Sequence, residues 1–119
     1  MMKQFITSAF LSSLLFSHVY GQAETQTVTV GANGLVFSPD TITADEGDVI
    51  EFVITPGHSV TQSAFDNPCQ AISDTGIYSG FPNNKATFSV TVNSSDTLWI
   101  YCSSPGHCQA GMAMVINPP

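Results

Sequence analysis

The sequence predicts an all-β protein, folded as a single-domain Greek-key β-sandwich or barrel. From residue 22 onward, Val, Ile and Thr supply 27 of 98 residues and Leu supplies only two, a bias toward side chains that suit pleated strands. Charged residues make up 9% of the chain, against about 25% in ordinary soluble domains. A bundle of amphipathic helices with salt-bridged outer faces is therefore excluded.

Five segments carry the strand signal. Alternation of polar and apolar residues predicts strands with one inward face at Thr25–Val30, Val49–Ile54 and residues 86–92. Shorter strands are predicted at Leu98–Tyr101 and residues 112–116. Turn-forming residues separate them, with a solvated turn predicted at 45–48, and residues 64–79 predict an irregular loop. The large side chains expected in the core are Phe52, Phe88, Trp99 and Ile100.

The first two dozen residues have the pattern of a secretory signal. Lys3 precedes an apolar and hydroxylated stretch that ends near Gly21 and Ala23. We predict a signal peptide over residues 1–21, with cleavage after residue 23 as the alternative, and one domain over residues 22–119. Secreted proteins usually pair their thiols, yet this chain has three Cys. One Cys is left over and requires a role.

The charge of the chain excludes several kinds of partner. Beyond residue 21 there are nine Asp and Glu against one basic residue, Lys85, which gives a formal charge of −8. A single basic side chain cannot neutralise a row of phosphates or dock on anionic lipid, so nucleic-acid and membrane-surface binding are excluded. A cationic partner remains compatible with this charge.

The residues that carry chemistry lie near the C-terminus, between two predicted strands. Cys102, His107 and Met112 follow one another at five-residue steps. A thiolate, an imidazole and a thioether together suit a metal that cycles between soft Cu(I) and harder Cu(II). Such a site needs a second imidazole, and His58 is the only other His beyond the predicted signal. Two His and one spare Cys make a trigonal set of ligands.

With these residues the chain resembles the cupredoxins, or blue copper proteins. It is most similar to the phytocyanin branch and to related extracellular cupredoxin-like proteins of fungi. The resemblance is carried by residues 58–63, by Pro68 and Cys69, and by the spacing within residues 102–112. It covers nearly all of the chain beyond the predicted signal and implies a cupredoxin-like fold.

The resemblance also implies a role for each motif residue. Residues matching His58, Cys102 and His107 bind one type 1 copper ion in a plane, and a residue matching Met112 is the axial ligand at longer range. Gln109 is a weaker competitor for the axial position, because Gln can also serve there. Copper is therefore the expected cofactor.

A disulfide between Cys69 and Cys108 is implied in the same way. The pairing agrees with strand geometry, since neighbouring side chains in extended backbone point opposite ways and Cys108 directly follows His107. It leaves Cys102 free. On the residues alone, the pairings Cys102 with Cys108 and Cys69 with Cys102 stay open.

From this ligand set we expect a one-electron carrier and not an enzyme. Four protein ligands leave no open place for substrate or water. The alternative is an extracellular copper-binding, copper-buffering or cell-wall-associated protein without a redox role. We expect a monomer whose unknown redox partner, given the charge of −8, is a cationic extracellular oxidoreductase.

The remaining expectations concern location and modification. Asn93 opens the only glycosylation sequon and is a candidate N-glycosylation site. The chain ends at Pro119 without the apolar tail of about 10–20 residues that a lipid-anchor signal needs. We therefore expect a protein secreted to the extracellular space or cell wall, with no membrane insertion of the mature chain.

Overall fold

The computed structural model describes residues 22–119, and within this range the chain consists of strands and turns without a helix. The predicted signal peptide, residues 1–21, lies outside the described residues. The strands are β1 (Thr25–Val30), β2 (Phe37–Ser38), β3 (Thr41–Ile42), β4 (Val49–Ile54), β5 (Thr61–Ser63), β6 (Ala86–Thr91), β7 (Leu98–Tyr101) and β8 (Ala113–Ile116). Nothing in the described part of the chain is a helix of the length and apolarity needed to span a bilayer.

The strands form two four-stranded sheets. The first has the order β2-β1-β4-β6 and the second the order β3-β8-β7-β5. β1 runs parallel to β4 and β3 runs parallel to β8, whereas the other neighbours are antiparallel. From β2 to β7 every connection changes sheets, so most sequence neighbours do not pair. The predicted all-β Greek-key sandwich is confirmed.

The core fills the space between the two sheets. In β4, Ile50, Phe52 and Ile54 are at most 1% exposed, while the residues between them are half-buried, as a period of two requires. Phe52 lies opposite Phe88 of β6, which packs against the core. Burying each such large side chain stabilises the fold by about 1.5–3 kcal/mol. The other fully buried apolar side chains are Val28, Val30, Val60, Val92, Ile100, Cys102, Met112 and Ile116.

Three strands were not predicted from the sequence. β2 and β3 have two residues each and β5 has three, which is too short for a period to be visible. The predicted strands at 86–92 and 112–116 are each one residue shorter in the structure, so Met112 precedes β8. The irregular loop predicted at residues 64–79 is present, with turns and isolated bridges only.

Trp99 is not a core residue, and the prediction that it would be was wrong. Successive side chains of a strand point to opposite faces, and Ile100 of β7 is in the core at 1% exposure. Trp99 therefore faces outward and is only partly buried. Its ring packs against that of Phe65 with centroids 5.0 Å apart, although Phe65 itself is 73% exposed.

The buried side chain of Asp48 stabilises the turn at residues 45–48 by hydrogen bonding. The turn was predicted to be solvated, but Asp48 is only 6% exposed. Its carboxylate accepts a hydrogen bond from the backbone N–H of Glu24 at 2.9 Å and another from that of Asp45 at 2.8 Å. These two donors hold the pKa of the Asp48 carboxyl below its usual value. The ionised side chain thus joins the start of the chain's first strand to the turn before β4.

We expect Asp48→Asn to destabilise the protein at neutral pH, because an amide offers one acceptor oxygen where the carboxylate offers two. In the unfolded chain the carboxyl titrates near pH 3.8 and in the folded protein below it. The stabilising contribution is therefore present above about pH 4 and is lost as the pH falls through the folded value. Chemical denaturation at pH 7 and pH 3 should show the variant's deficit shrinking in acid.

The matched control is Asp45→Asn. Asp45 is exposed and takes part in the turn through its backbone N–H, which the substitution preserves. This variant should match the wild-type protein at pH 7. An equal loss of stability in both variants would contradict the role given to the Asp48 carboxylate.

Candidate metal centre

Cys102 lies one residue beyond the end of β7. Ile100, two residues earlier, faces the core and is 1% exposed, and the same alternation turns Cys102 inward to 0% exposure. Within the described residues Cys102 is the free cysteine. The unpaired thiol predicted from the cysteine count is therefore enclosed at the edge of the core.

The other two cysteines form the predicted disulfide. Cys69 and Cys108 are joined with an S–S distance of 2.04 Å and a Cα–Cα distance of 5.7 Å. The prediction is confirmed, and the two pairings that involve Cys102 are excluded. The bridge fastens the irregular loop at residues 64–79 to the residue that directly follows His107.

His58 follows β4 after the turn at residues 55–57. Its ring lies directly on Gly31, where β1 ends, and a β-carbon added to Gly31 would overlap three atoms of the imidazole. Gly31 also has φ of +82°, a left-handed conformation that favours glycine. Burial first, and then the neighbouring charge of His107, lower the pKa of His58. The imidazole is therefore biased toward the neutral form that binds a metal.

The segment from Cys102 to Met112 is held by its own backbone. The N–H of His107 donates to the carbonyl of Ser104 at 3.0 Å, and the N–H of Met112 donates to the carbonyl of His107 at 3.0 Å. The carbonyl of Met112 accepts the N–H of Cys102 at 3.1 Å. These bonds gather the three motif residues into one compact loop.

The donor atoms of Cys102, His58 and His107 converge. Cys102 Sγ lies 3.6 Å from His107 Nδ1 and 3.8 Å from His58 Nδ1, and all three donors lie within 4.8 Å of one another. Two bonds of about 2.0–2.3 Å that meet at about 120° span roughly 3.7 Å. The residues therefore fit one trigonally bound metal ion.

Met112 and Gln109, the two axial candidates, differ in burial. Met112 is 0% exposed and belongs to the same core cluster as Cys102, whereas Gln109 is exposed. Met114 is also buried and fills the core, as predicted. Burial beside the thiol favours Met112 as the axial ligand.

Sequence reasoning missed two residues at this centre. Ser59 donates its backbone N–H to Cys102 Sγ at 3.4 Å, and Gly31 carries the His58 ring. A hydrogen bond to sulfur stabilises the thiolate form that binds a metal. Neither residue has a spacing signal, because both act through segments that approach only in the folded protein.

We expect Gly31→Ala to weaken metal binding by roughly tenfold. A β-carbon would displace the His58 ring, and outer-shell changes of this kind commonly cost ten- to a hundredfold in affinity. A copper competition titration measures the effect. Gly34→Ala is the control, because Gly34 also has a positive φ of +104° but has open space where the β-carbon would lie. Equal losses of affinity in both variants would attribute the effect to backbone strain and not to His58.

Asn93 is exposed in the segment between β6 and β7. The following turn is closed by the N–H of Asp96, which donates to Ser94 Oγ at 3.1 Å. An exposed turn is accessible to a modifying enzyme, and glycosylation of Asn93 stays a prediction.

A two-sheet Greek-key sandwich that brings one buried thiol together with two imidazoles defines a copper protein of the cupredoxin class. The chain belongs to the copper-binding proteins of the plastocyanin/azurin family, whose family model matches residues 24–117. The metal of this centre is copper. The predicted cupredoxin membership is thus confirmed.

Two curated relatives come from the fungus Arthroderma benhamiae. One, a probable GPI-anchored cupredoxin, is 43% identical over 99 residues, covering 82% of this chain and 53% of the relative. The other, an extracellular serine-rich protein, is 41% identical over 119 residues, covering 95% of this chain and 46% of the relative. The chain therefore spans about half the length of these relatives.

The fold is similar to solved blue copper structures. Reduced auracyanin of the bacterium Roseiflexus castenholzii matches with a TM-score of 0.58 at 14% identity, covering 81% of this chain and 97% of that protein. At this identity the likeness shows the fold alone.

Proposed function

We propose that the protein is a secreted type 1 copper protein that carries one electron at a time. In this proposal His58, Cys102 and His107 would hold the copper ion, with Met112 as the fourth ligand. The observation that carries it is the convergence of two imidazole nitrogens on a fully buried thiol, at separations that suit a single trigonal ion. A bound copper ion supplies one-electron exchange between Cu(I) and Cu(II).

The residues around the donors support fast exchange because they are held before any metal arrives. The N–H of Ser59 fixes the thiol, Gly31 fixes the His58 ring, and backbone bonds fix the loop of His107. Little rearrangement is then needed when the charge of the centre changes. Cys102 and Met112 are fully buried, so they shield the centre from water and from a second reactant on their side. We therefore propose a carrier rather than an enzyme.

The partner we propose is a positively charged extracellular oxidoreductase. The described domain has nine acidic residues and a single Lys, so a cationic surface would be attracted at long range. The association rate should then fall as salt is added, because salt screens this attraction. The names of the two fungal relatives, one GPI-anchored and one extracellular, support export to the cell exterior.

Titration of the metal-free protein with Cu(II) is the direct test. We expect one equivalent of copper to produce an intense visible absorption band from thiolate-to-copper charge transfer. The loaded protein should then cycle reversibly at an electrode. Copper that binds without this band would contradict the ligand set. Copper that shows the band but is redox-silent would instead favour a copper-buffering or wall-associated protein.

A further inference from the structure

Three hydroxyl groups form a closed ring beside the copper centre. Ser59 Oγ lies 3.0 Å from Thr61 Oγ1 and 2.7 Å from Ser103 Oγ, and Thr61 Oγ1 donates to Ser103 Oγ at 3.1 Å. Ser59 is 0% exposed and Thr61 is 2% exposed. Each hydroxyl can donate once and accept once around such a ring, so all three are satisfied and polarise one another. We call these three residues the hydroxyl ring.

The hydroxyl ring continues a β-ladder that stops short of the metal ligands. β5 and β7 pair antiparallel, and their last pair joins Thr61 to Tyr101. Two further steps in this register, past Val60 and Cys102, set Ser59 opposite Ser103. Here the backbone N–H of Ser103 donates to Ser59 Oγ at 2.9 Å, so a side-chain hydroxyl of the ring replaces the backbone acceptor of a regular ladder.

The ring joins the two segments that hold copper ligands. Ser59 directly follows His58 and Ser103 directly follows Cys102, although the two serines are 44 residues apart in the chain. Ser59 also donates its backbone N–H to Cys102 Sγ at 3.4 Å. A displacement of Ser59 would therefore move the preceding residue, His58, and would also move the backbone N–H that donates to Cys102 Sγ.

We propose that the hydroxyl ring is a positioning device for the copper centre, holding His58 and Cys102 at the separation that the metal requires. The proposal rests on the ligand set proposed above. Ordering two independent segments costs conformational entropy, and the ring meets this cost during folding instead of during metal binding. Loss of the ring should therefore weaken copper binding by more than it weakens the metal-free fold.

Thr61→Val is the central test, because Val has nearly the same shape as Thr and carries a methyl group in place of the hydroxyl. We expect Cu(I) binding, measured by competition with a chromophoric chelator, to weaken roughly tenfold, within the range found for outer-shell partners of metal ligands. Thr61→Ser restores a hydroxyl and should recover most of the affinity. Denaturant unfolding of the metal-free proteins measures the structural cost separately.

Two further variants complete the design. Ser63→Ala is the matched control, because Ser63 is 6% exposed in the same strand but is not part of the ring. It should leave copper affinity within twofold of the wild-type protein. Ser103→Ala breaks the ring at a less buried position. Combining Thr61→Val with Ser103→Ala should lower copper affinity little more than either change alone, because the ring members act as a unit.

Unchanged copper affinity in both Thr61→Val and Ser103→Ala would overturn the proposal and leave the ring as a fold-stabilising element. A tenfold loss in the Ser63→Ala control would overturn it as well. These outcomes differ from a failure of the proposed function. In that failure the wild-type protein would lack the charge-transfer band or would be redox-silent, whatever the affinities of the variants.

Discussion

Replacing Cys102 with Ser is expected to abolish the visible charge-transfer band and to weaken copper binding on the order of a hundredfold or more. The thiolate is the softest of the proposed ligands and the source of the band, whereas a serine hydroxyl is a hard, neutral oxygen that binds Cu(I) poorly. At about 1.4 kcal/mol for each factor of ten, this loss corresponds to roughly 3 kcal/mol of binding free energy.

The fold should survive this change. Serine is slightly smaller than cysteine, and the N–H of Ser59, which now donates to Cys102 Sγ, can donate to the hydroxyl. Visible spectroscopy with one equivalent of Cu(II) and a chelator competition measure the two effects. Met114→Leu, a substitution of a buried core residue outside the proposed ligand set, should keep the band. Retention of the band in Cys102→Ser would refute the copper centre described above.

Removing the disulfide is expected to cost roughly 4 kcal/mol of unfolding free energy. Cys69 and Cys108 are 39 residues apart, and closing a loop of about 40 residues restricts the unfolded chain by about that amount. Both cysteines are replaced by Ala in the test. A single Cys69→Ala change would leave Cys108 free to pair with Cys102 and would confuse the result.

Denaturant unfolding of the metal-free protein at pH 7 measures this loss. The wild-type protein treated with a strong reductant should lose a similar amount, which serves as the control for side effects of the substitutions. A loss below about 1 kcal/mol would contradict the expectation. Copper binding should also weaken, because the bridge holds the residue next to His107.

The long strands and the metal ligands could be predicted from the sequence, because both show patterns within short segments of the chain. Alternation located β1 and β4 to the residue, since each buries one face in a single core, and the shorter strand predicted at Leu98–Tyr101 has the bounds of β7. The steps of five between Cys102, His107 and Met112, with His58 as the only other imidazole beyond the predicted signal, indicated the ligands. Metal ligands of this kind are identified by residue type and spacing, so they can be recognised before the fold is known.

The rest depended on which segments meet. β2, β3 and β5 are too short to show a pattern. Gly31 acts through its contact with the His58 imidazole, and Ser59 acts through its hydrogen bond to Cys102 Sγ, so both roles depend on segments distant in the sequence. Trp99 was assigned to the core because of its size, yet its strand parity turns it outward. The buried Asp48 was missed for a similar reason, since its hydrogen-bond donor on Glu24 is 24 residues away.

The repeated crossing between sheets has a consequence for the order of events during folding. The two proposed imidazoles and the thiol come from positions 58, 102 and 107. The His58 ring lies on Gly31, directly after β1 of the first sheet, whereas Cys102 directly follows β7 of the second sheet, so the centre needs both sheets. Proteins dominated by such non-local contacts fold slowly, over milliseconds to seconds, because distant parts of the chain must meet early. Blue colour on addition of Cu(II) during refolding would therefore appear with the last cooperative step, and absorbance alone would time the assembly of the whole sandwich.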